Sequence, residues 1–136
     1  MTEKHCHKVD VLQRTFLRFI LNVTKLDKIR NVDIYEKCKT RPWSETIATR
    51  RLRFLGHLLR LDPETPAQKA LNEFFRPVRR DPGRPSATWW SVVKKDLNKL
   101  NVTSDLVQLS RIAADRRRWR ELVACTLCPT GRQAFL

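Results

Sequence analysis

Apolar residues recur along this chain at intervals of three and four, the period of an α-helix, and over no useful length do they alternate as a strand requires. Val9, Leu12, Phe16, Phe19/Ile20 and Val23 set out a first helix near residues 7–22. A charged connector, residues 25–30, follows, and Asn31 then reads as the N-cap of a short helix to about Lys39. Pro42 suits the first position of a long third helix to about Leu61, which Asp62-Pro63 stops. Thr65-Pro66 starts another short helix that ends before Pro77. Residues 76–86 contain three prolines and Gly83 and read as a basic loop. Ser86 or Thr88 caps a fifth helix to about Leu100, with Trp89, Trp90, Val93, Leu97 and Leu100 on its apolar side. Thr103-Ser104-Asp105 opens a brief helix, and Ser110 opens the last, to about Ala124. The expected fold is all-α, a compact bundle of about five to seven helices. It forms a single basic domain over residues 1–128, with a flexible, frayed tail at 129–136.

The third helix carries the densest chemistry. Between Arg50 and Leu61 the chain is divided between apolar and cationic residues, with no acid among them. At about 100° per residue, Arg50, Arg53, His57 and Arg60 fall within an arc of roughly 80°. Leucines and Phe54 occupy most of the remainder, so the segment reads as a core helix with a basic ridge facing outward. Guanidinium forks on a rigid element bind phosphate oxygens bidentately. A solvated face is the plain alternative for a single stripe of this kind.

Charge over the whole chain bears on that choice. Twenty-eight Lys and Arg stand against 14 Asp and Glu, a net charge of +14 over 136 residues. Self-repulsion of this size opposes compaction and is relieved by an anionic partner, nucleic acid before others. Further arginine clusters lie at Arg76/Arg79/Arg80/Arg84 and Arg111/Arg116/Arg117/Arg118/Arg120. Hydrophobic residues make up 41% of the chain, which excludes a disordered basic tail. No apolar run approaches the roughly 20 residues that span a bilayer, and the polar first ten residues show no signal peptide. Cys6, Cys38, Cys125 and Cys128 do not make a disulfide framework at this length, so an intracellular location, nuclear or nucleocytoplasmic, is expected.

Some charges point the wrong way for a solvated role. Arg51 falls in the apolar arc of the third helix, and Asp96 sits among Trp89, Val93 and Leu100. In the last helix Asp115 and Arg116 lie on the same side as Ile112, Trp119 and Val123, while Arg117, Arg118 and Arg120 point elsewhere. A charge facing a core must be paired, because its desolvation is otherwise prohibitive. Arg51, Arg116, Asp96 and Asp115 are therefore expected to form structural ion pairs. Arg50, Arg53, His57, Arg60, Arg79, Arg80, Arg84, Arg117, Arg118 and Arg120 remain as candidate nucleic-acid contacts.

Four short segments carry a family likeness. Arg51-Leu52-Arg53-Phe54-Leu55-Gly56-His57 resembles the R-L-R-W-L-G-H signature near the C-terminus of non-LTR retrotransposon reverse transcriptases. Gly83-Arg84-Pro85-Ser86-Ala87-Thr88-Trp89 resembles their G-R-P-x-x-x-W, and Asp115-Arg116-Arg117-Arg118-Trp119-Arg120 their D-R-x-x-W-R. The segment from Leu12 to Leu21 is similar to the L-Q-R-x-x-L-R-x-I-L that follows the polymerase core. Order and spacing agree over about residues 8–125. Phe54 stands where the family usually has tryptophan, and Pro82 where a basic residue often precedes Gly-Arg-Pro. The resemblance implies the region after palm and thumb, standing alone as a truncated or domesticated piece that retains an RNA- or DNA-binding role. The paired aspartates of a polymerase palm are missing from this sequence, so no enzymatic activity and no cofactor are expected.

Other readings compete at several positions. Arg79 to Pro85 contains half of an R-G-R-P minor-groove arm, against nonspecific phosphate contact or a plain linker. His5-Cys6-His7 with Cys125-x-x-Cys128 has zinc-like spacing, but unpaired thiols and no metal are the expectation. His57 has no nucleophile at a recognisable spacing and reads as a surface residue. Trp43, Trp89 and Trp119 suit core packing, whereas Trp90, at the edge of its arc, is the candidate for base stacking. At the level of function, a nucleic-acid-binding helical domain stands against a protein-interaction module docking an acidic partner, or a retroelement remnant without selected function. No membrane and no small-molecule substrate are expected, while RNA against DNA and the oligomeric state stay open.

Overall fold

The computed structural model describes residues 3–75 and 88–125. Seven helices and no strand occur among these residues: α1 (Glu3–Ile20), α2 (Asn31–Lys37), α3 (Trp43–Leu58), α4 (Pro66–Phe75), α5 (Trp89–Lys99), α6 (Leu106–Ala114) and α7 (Arg116–Cys125). The fold is all-α. The basic segment 76–86 and the tail 129–136 lie outside the described residues, and with them Arg79, Arg80 and Arg84. The chain divides into two compact units, Met1–Ile47 and Ala48–Leu136.

In the first unit, the turn after α1 contains Asn22, whose φ of 52° places it in the left-handed region that terminates helices. Arg18 then fastens the connector: its guanidinium donates to the carbonyls of Thr24 and Ile29 and to Asn31 Oδ1, at 3.3, 2.8 and 3.2 Å. That engagement corrects the expected role of Asn31. Arg30 occupies the N-cap position of α2 without a side-chain cap, and Asn31 is the first helical residue. Ile34 is the fully buried residue of α2.

The start of α3 is capped from far away in sequence. Pro42 has no N–H to satisfy, and the next donors find side chains of α1. Gln13 accepts from the Trp43 amide at 2.7 Å and donates to the Arg41 carbonyl at 2.8 Å. Asp10 accepts from the Ser44 amide and hydroxyl at 2.9 and 2.6 Å. A carboxylate at this position also meets the positive end of the helix dipole. Gln13 is 2% exposed, a buried amide whose carbonyl and NH2 both have partners. The apolar stripe of α1 lies elsewhere: Leu12, Phe16, Phe19 and Ile20 are all exposed.

In the second unit the core is leucine-rich and centred on two tryptophans. Leu52, Leu55, Leu58 and Leu59 of α3 and the turn after it cluster with Leu71 of α4. Trp90, Val93 and Leu97 of α5 with Leu100 just after it, Leu109 and Ala113 of α6, and Trp119 and Val123 of α7 complete the cluster. Trp90 stands at the edge of the buried arc, as expected, but is only 5% exposed and packed within the cluster, so it is not a stacking surface. The Lys94 ammonium lies 5.6 Å from its ring centre. Thr88 is the N-cap of α5, accepting from the Ser91 amide at 3.2 Å.

Two contacts organise this unit. The buried Trp119 indole N–H donates to the Leu52 carbonyl at 3.0 Å, although that carbonyl already lies in the α3 hydrogen-bond ladder. Gly56 makes the approach possible: a Cβ at this position would fall on the indole ring, against Nε1. The second contact is the expected pair of inward charges. Arg51 Nε and Nη2 both reach Asp96 Oδ2, at 2.9 and 2.6 Å, with the two side chains only 15% and 9% exposed.

The other expected pair is corrected. α6 continues through Ser110 to Ala114, and Asp115 breaks the helix with extended backbone (φ −84°, ψ 106°). Asp115 is exposed, and its carboxylate accepts from the amides of Arg117 and Arg118 at 2.8 and 3.1 Å, capping α7. The amides of Arg118 and Arg117 hold its carboxyl below the ordinary value of 3.8. Arg116 is exposed as well. Neither residue is part of a buried ion pair.

Gly56→Ala is expected to destabilise the protein by about 1–3 kcal/mol, the usual range for overpacking a core. Thermal melting checks this, and a variant that melts like the parent would show that Trp119 yields without cost. Asp96→Ala should cost roughly 3–5 kcal/mol, because it strands a largely buried Arg51 charge. Replacing Arg51 by Met and Asp96 by Leu together should recover most of that loss. Asp115→Ala should do less damage than Asp96→Ala. The Asp115 carboxyl is depressed in the folded state, so its contribution is complete above its ordinary value and fades as pH falls through the lower folded one. Acid titration of parent and Asp115→Ala should therefore converge at low pH; equal melting of Asp96→Ala and the parent would discard the buried-pair account.

Candidate functional site

The seam between Gly56 and Trp119 decides which side chains reach the surface together. Arg53 follows Leu52 and His57 follows Gly56, so both stand at the rim of the contact on α3. On α7, Arg116 and Arg120 flank Trp119 in the same way. Arg60, in the turn after α3, completes the set. These six residues, Arg53, His57, Arg60, Arg116, Trp119 and Arg120, line an open cleft of about 490 Å³.

The cleft wall is four guanidinium groups, an imidazole and the edge of an indole, with no carboxylate in the lining. Among the described residues no acid pairs with Arg53, Arg60, Arg116 or Arg120. Arg60 is the most constrained of them. Its Nη1 donates to the Ala113 carbonyl at 2.9 Å, in the last turn of α6, where the helix dipole is negative. Partial burial lowers its affinity for a proton, and the neighbouring charges of Arg116 and Arg120 lower it further. Each like charge raises the free energy of the others until an anion enters. Planar, multi-donor cations converging on one volume without a counter-charge have the chemistry to hold an oxyanion, since guanidinium forks bind phosphate oxygens bidentately.

Of the ten residues expected to contact nucleic acid, the structure gathers Arg53, His57, Arg60 and Arg120 here. Arg50 is exposed on α3 but does not line the cleft. Arg117 is exposed and forms an i,i+4 pair with Glu121 at 3.0 Å, and Arg118 is exposed outside the lining. Arg116 and Trp119 are the additions. The signal for Arg116 was present in the sequence: an aspartate directly before three arginines is an N-cap, and a helix begun there puts residues 116 and 120 on one face, four apart.

The remaining chemistry is sparse. Among the described residues no three His, Cys, Asp or Glu side chains gather as a metal site would need, and Cys128 lies outside those residues. Cys6 and Cys38 are half-buried free thiols. No helix of the described residues is long and apolar enough to cross a membrane. Comparison of the chain with protein-family models, with curated proteins and with solved structures finds no match in any of the three.

Proposed function

We propose that this chain is a non-catalytic nucleic-acid-binding helical domain, akin to the region that follows the thumb in non-LTR retrotransposon reverse transcriptases. The cleft between α3 and α7 is its phosphate contact. The observation that carries this reading is the convergence of Arg53, Arg60, Arg116 and Arg120, with His57, on one volume that contains no carboxylate. Two of the four segments that carry the family likeness supply all six lining residues except Arg60. The net charge of +14 extends the attraction beyond the cleft and favours association with any polyanion. Contact of this kind positions a nucleic acid without reading its bases, so binding is electrostatic and weakly selective.

A second reading has one observation in its favour. Val11, Leu12, Phe16, Phe19 and Ile20 leave an apolar stripe of α1 open, as a protein-interaction module would. Salt separates the two readings, because counterion release makes nucleic-acid affinity fall steeply with ionic strength.

Replacing Arg53, Arg116 and Arg120 together by Gln is the direct test, since none of the three makes an ion pair among the described residues. The triple variant should keep the parent melting temperature or exceed it, and bind all sequences more weakly. Its salt slope should be flatter by about one for every phosphate that is no longer neutralised. Arg117→Gln, outside the cleft, should change binding much less. A folded triple variant with the parent's affinity and slope would end the proposal.

A further inference from the structure

Beside the cleft stands a half-open aromatic ring that neither folding nor phosphate binding accounts for. Phe54 is 52% exposed on α3, although the leucines of that helix are all buried. Its ring centre lies 6.1 Å from that of Trp89 at 81°, an edge contact that fixes its orientation. On the other side it lies 6.5 Å from the ring of His57, which lines the cleft. Cations and aromatic surface are thus continuous along one face of α3, through Arg53, Phe54 and His57.

We propose that this site takes single-stranded nucleic acid, with an unpaired base laid on Phe54 next to the phosphates held in the cleft. The inference rests on the reading of the cleft as a phosphate site. Its own warrant is the position of the ring. A duplex hides the faces of its bases in the stack, so an aromatic side chain reaches a base face only where the base is unpaired. The separation of 6.5 Å between Phe54 and His57 corresponds to about two nucleotide rises of ~3.4 Å. One strand can therefore touch both. An acidic peptide would use the guanidinium groups and gain nothing from the ring, and a duplex backbone would do the same. Because every base offers a π-face, the contact selects strandedness rather than sequence.

The experiment measures affinity for labelled oligothymidylate, oligouridylate and a duplex hairpin, using the full chain and four variants. Phe54→Ala should weaken binding to the single strands by roughly 10- to 100-fold, the range typical when an aromatic side chain that stacks one base is replaced by alanine. It should leave the duplex affinity and the salt slope unchanged. Phe54→Leu keeps the apolar body without the π-face and should behave like Phe54→Ala, which covers the case in which the alanine variant folds poorly. Phe54→Trp should bind single strands at least as tightly as the parent. Weakening on both single strands supports base stacking in general; weakening on one alone supports it and names the sugar preferred. If Phe54→Ala and Phe54→Leu keep the parent's affinity while the Arg53, Arg116 and Arg120 triple variant loses it, the stacking inference is overturned and the phosphate reading stands. Equal weakening on duplex and single strand also overturns it. If the triple variant binds as the parent does, the phosphate reading falls and this inference with it.

Discussion

In an α-helix the carbonyl of each residue is already committed to the amide four residues on, and a second donor reaches it only where the side chain at that later position leaves room. Gly56 leaves that room over the Leu52 carbonyl, and the Trp119 indole takes it. The contact buries one of the largest side chains in the chain with its single donor satisfied, and it sets how closely α7 approaches α3. The cleft is lined from the two helices that this contact joins, with Arg60 added from the turn after α3.

The arginines divide by what surrounds them rather than by where they fall in clusters. Arg51 is held between helices by Asp96, Arg18 is consumed by backbone carbonyls of the connector, and Arg117 leans on Glu121 at the surface. Those three serve the fold or do little. Arg53, Arg116 and Arg120 have no such partner among the described residues. A cation that stays unpaired beside other cations lowers stability, and a chain with a net charge of +14 can least offset that cost. Such an arrangement is consistent with a surface shaped by what it binds.

Most helices were legible because periodicity and caps agree locally. Thr88, Asp105 and the Asp62-Pro63 stop all act within a few residues of where they stand. Arg51 and Asp96 were legible for the same reason, since each lies inside an unbroken helix whose phase can be counted. Asp115 and Arg116 were not, because counting phase from Ser110 runs through a residue in extended backbone, and one such residue rotates everything after it. That rotation moved Arg116 from an imagined core to the wall of the cleft. Trp90 was misjudged because an edge position on a helical arc was read as open, whereas the surrounding cluster leaves it only 5% exposed. The capping of α3 by Asp10 and Gln13 had no local signal at all, since it links residues about 30 apart that only the folded chain brings together.

The bond from Arg60 to the Ala113 carbonyl has an entropic side. A free arginine side chain carries about 2 kcal/mol of rotamer freedom, most of which is lost when it grips a ligand. Arg60 has surrendered part of that freedom already, to a carbonyl at the end of α6, while its guanidinium has five N–H donors and this bond uses only one. Its neighbours in the cleft still have theirs to lose. For the proposed phosphate contact, one fork would already be anchored, while Arg53, Arg116 and Arg120 have no side-chain hydrogen bond or ion pair among the described residues, so the anchored residue would set where the anion seats.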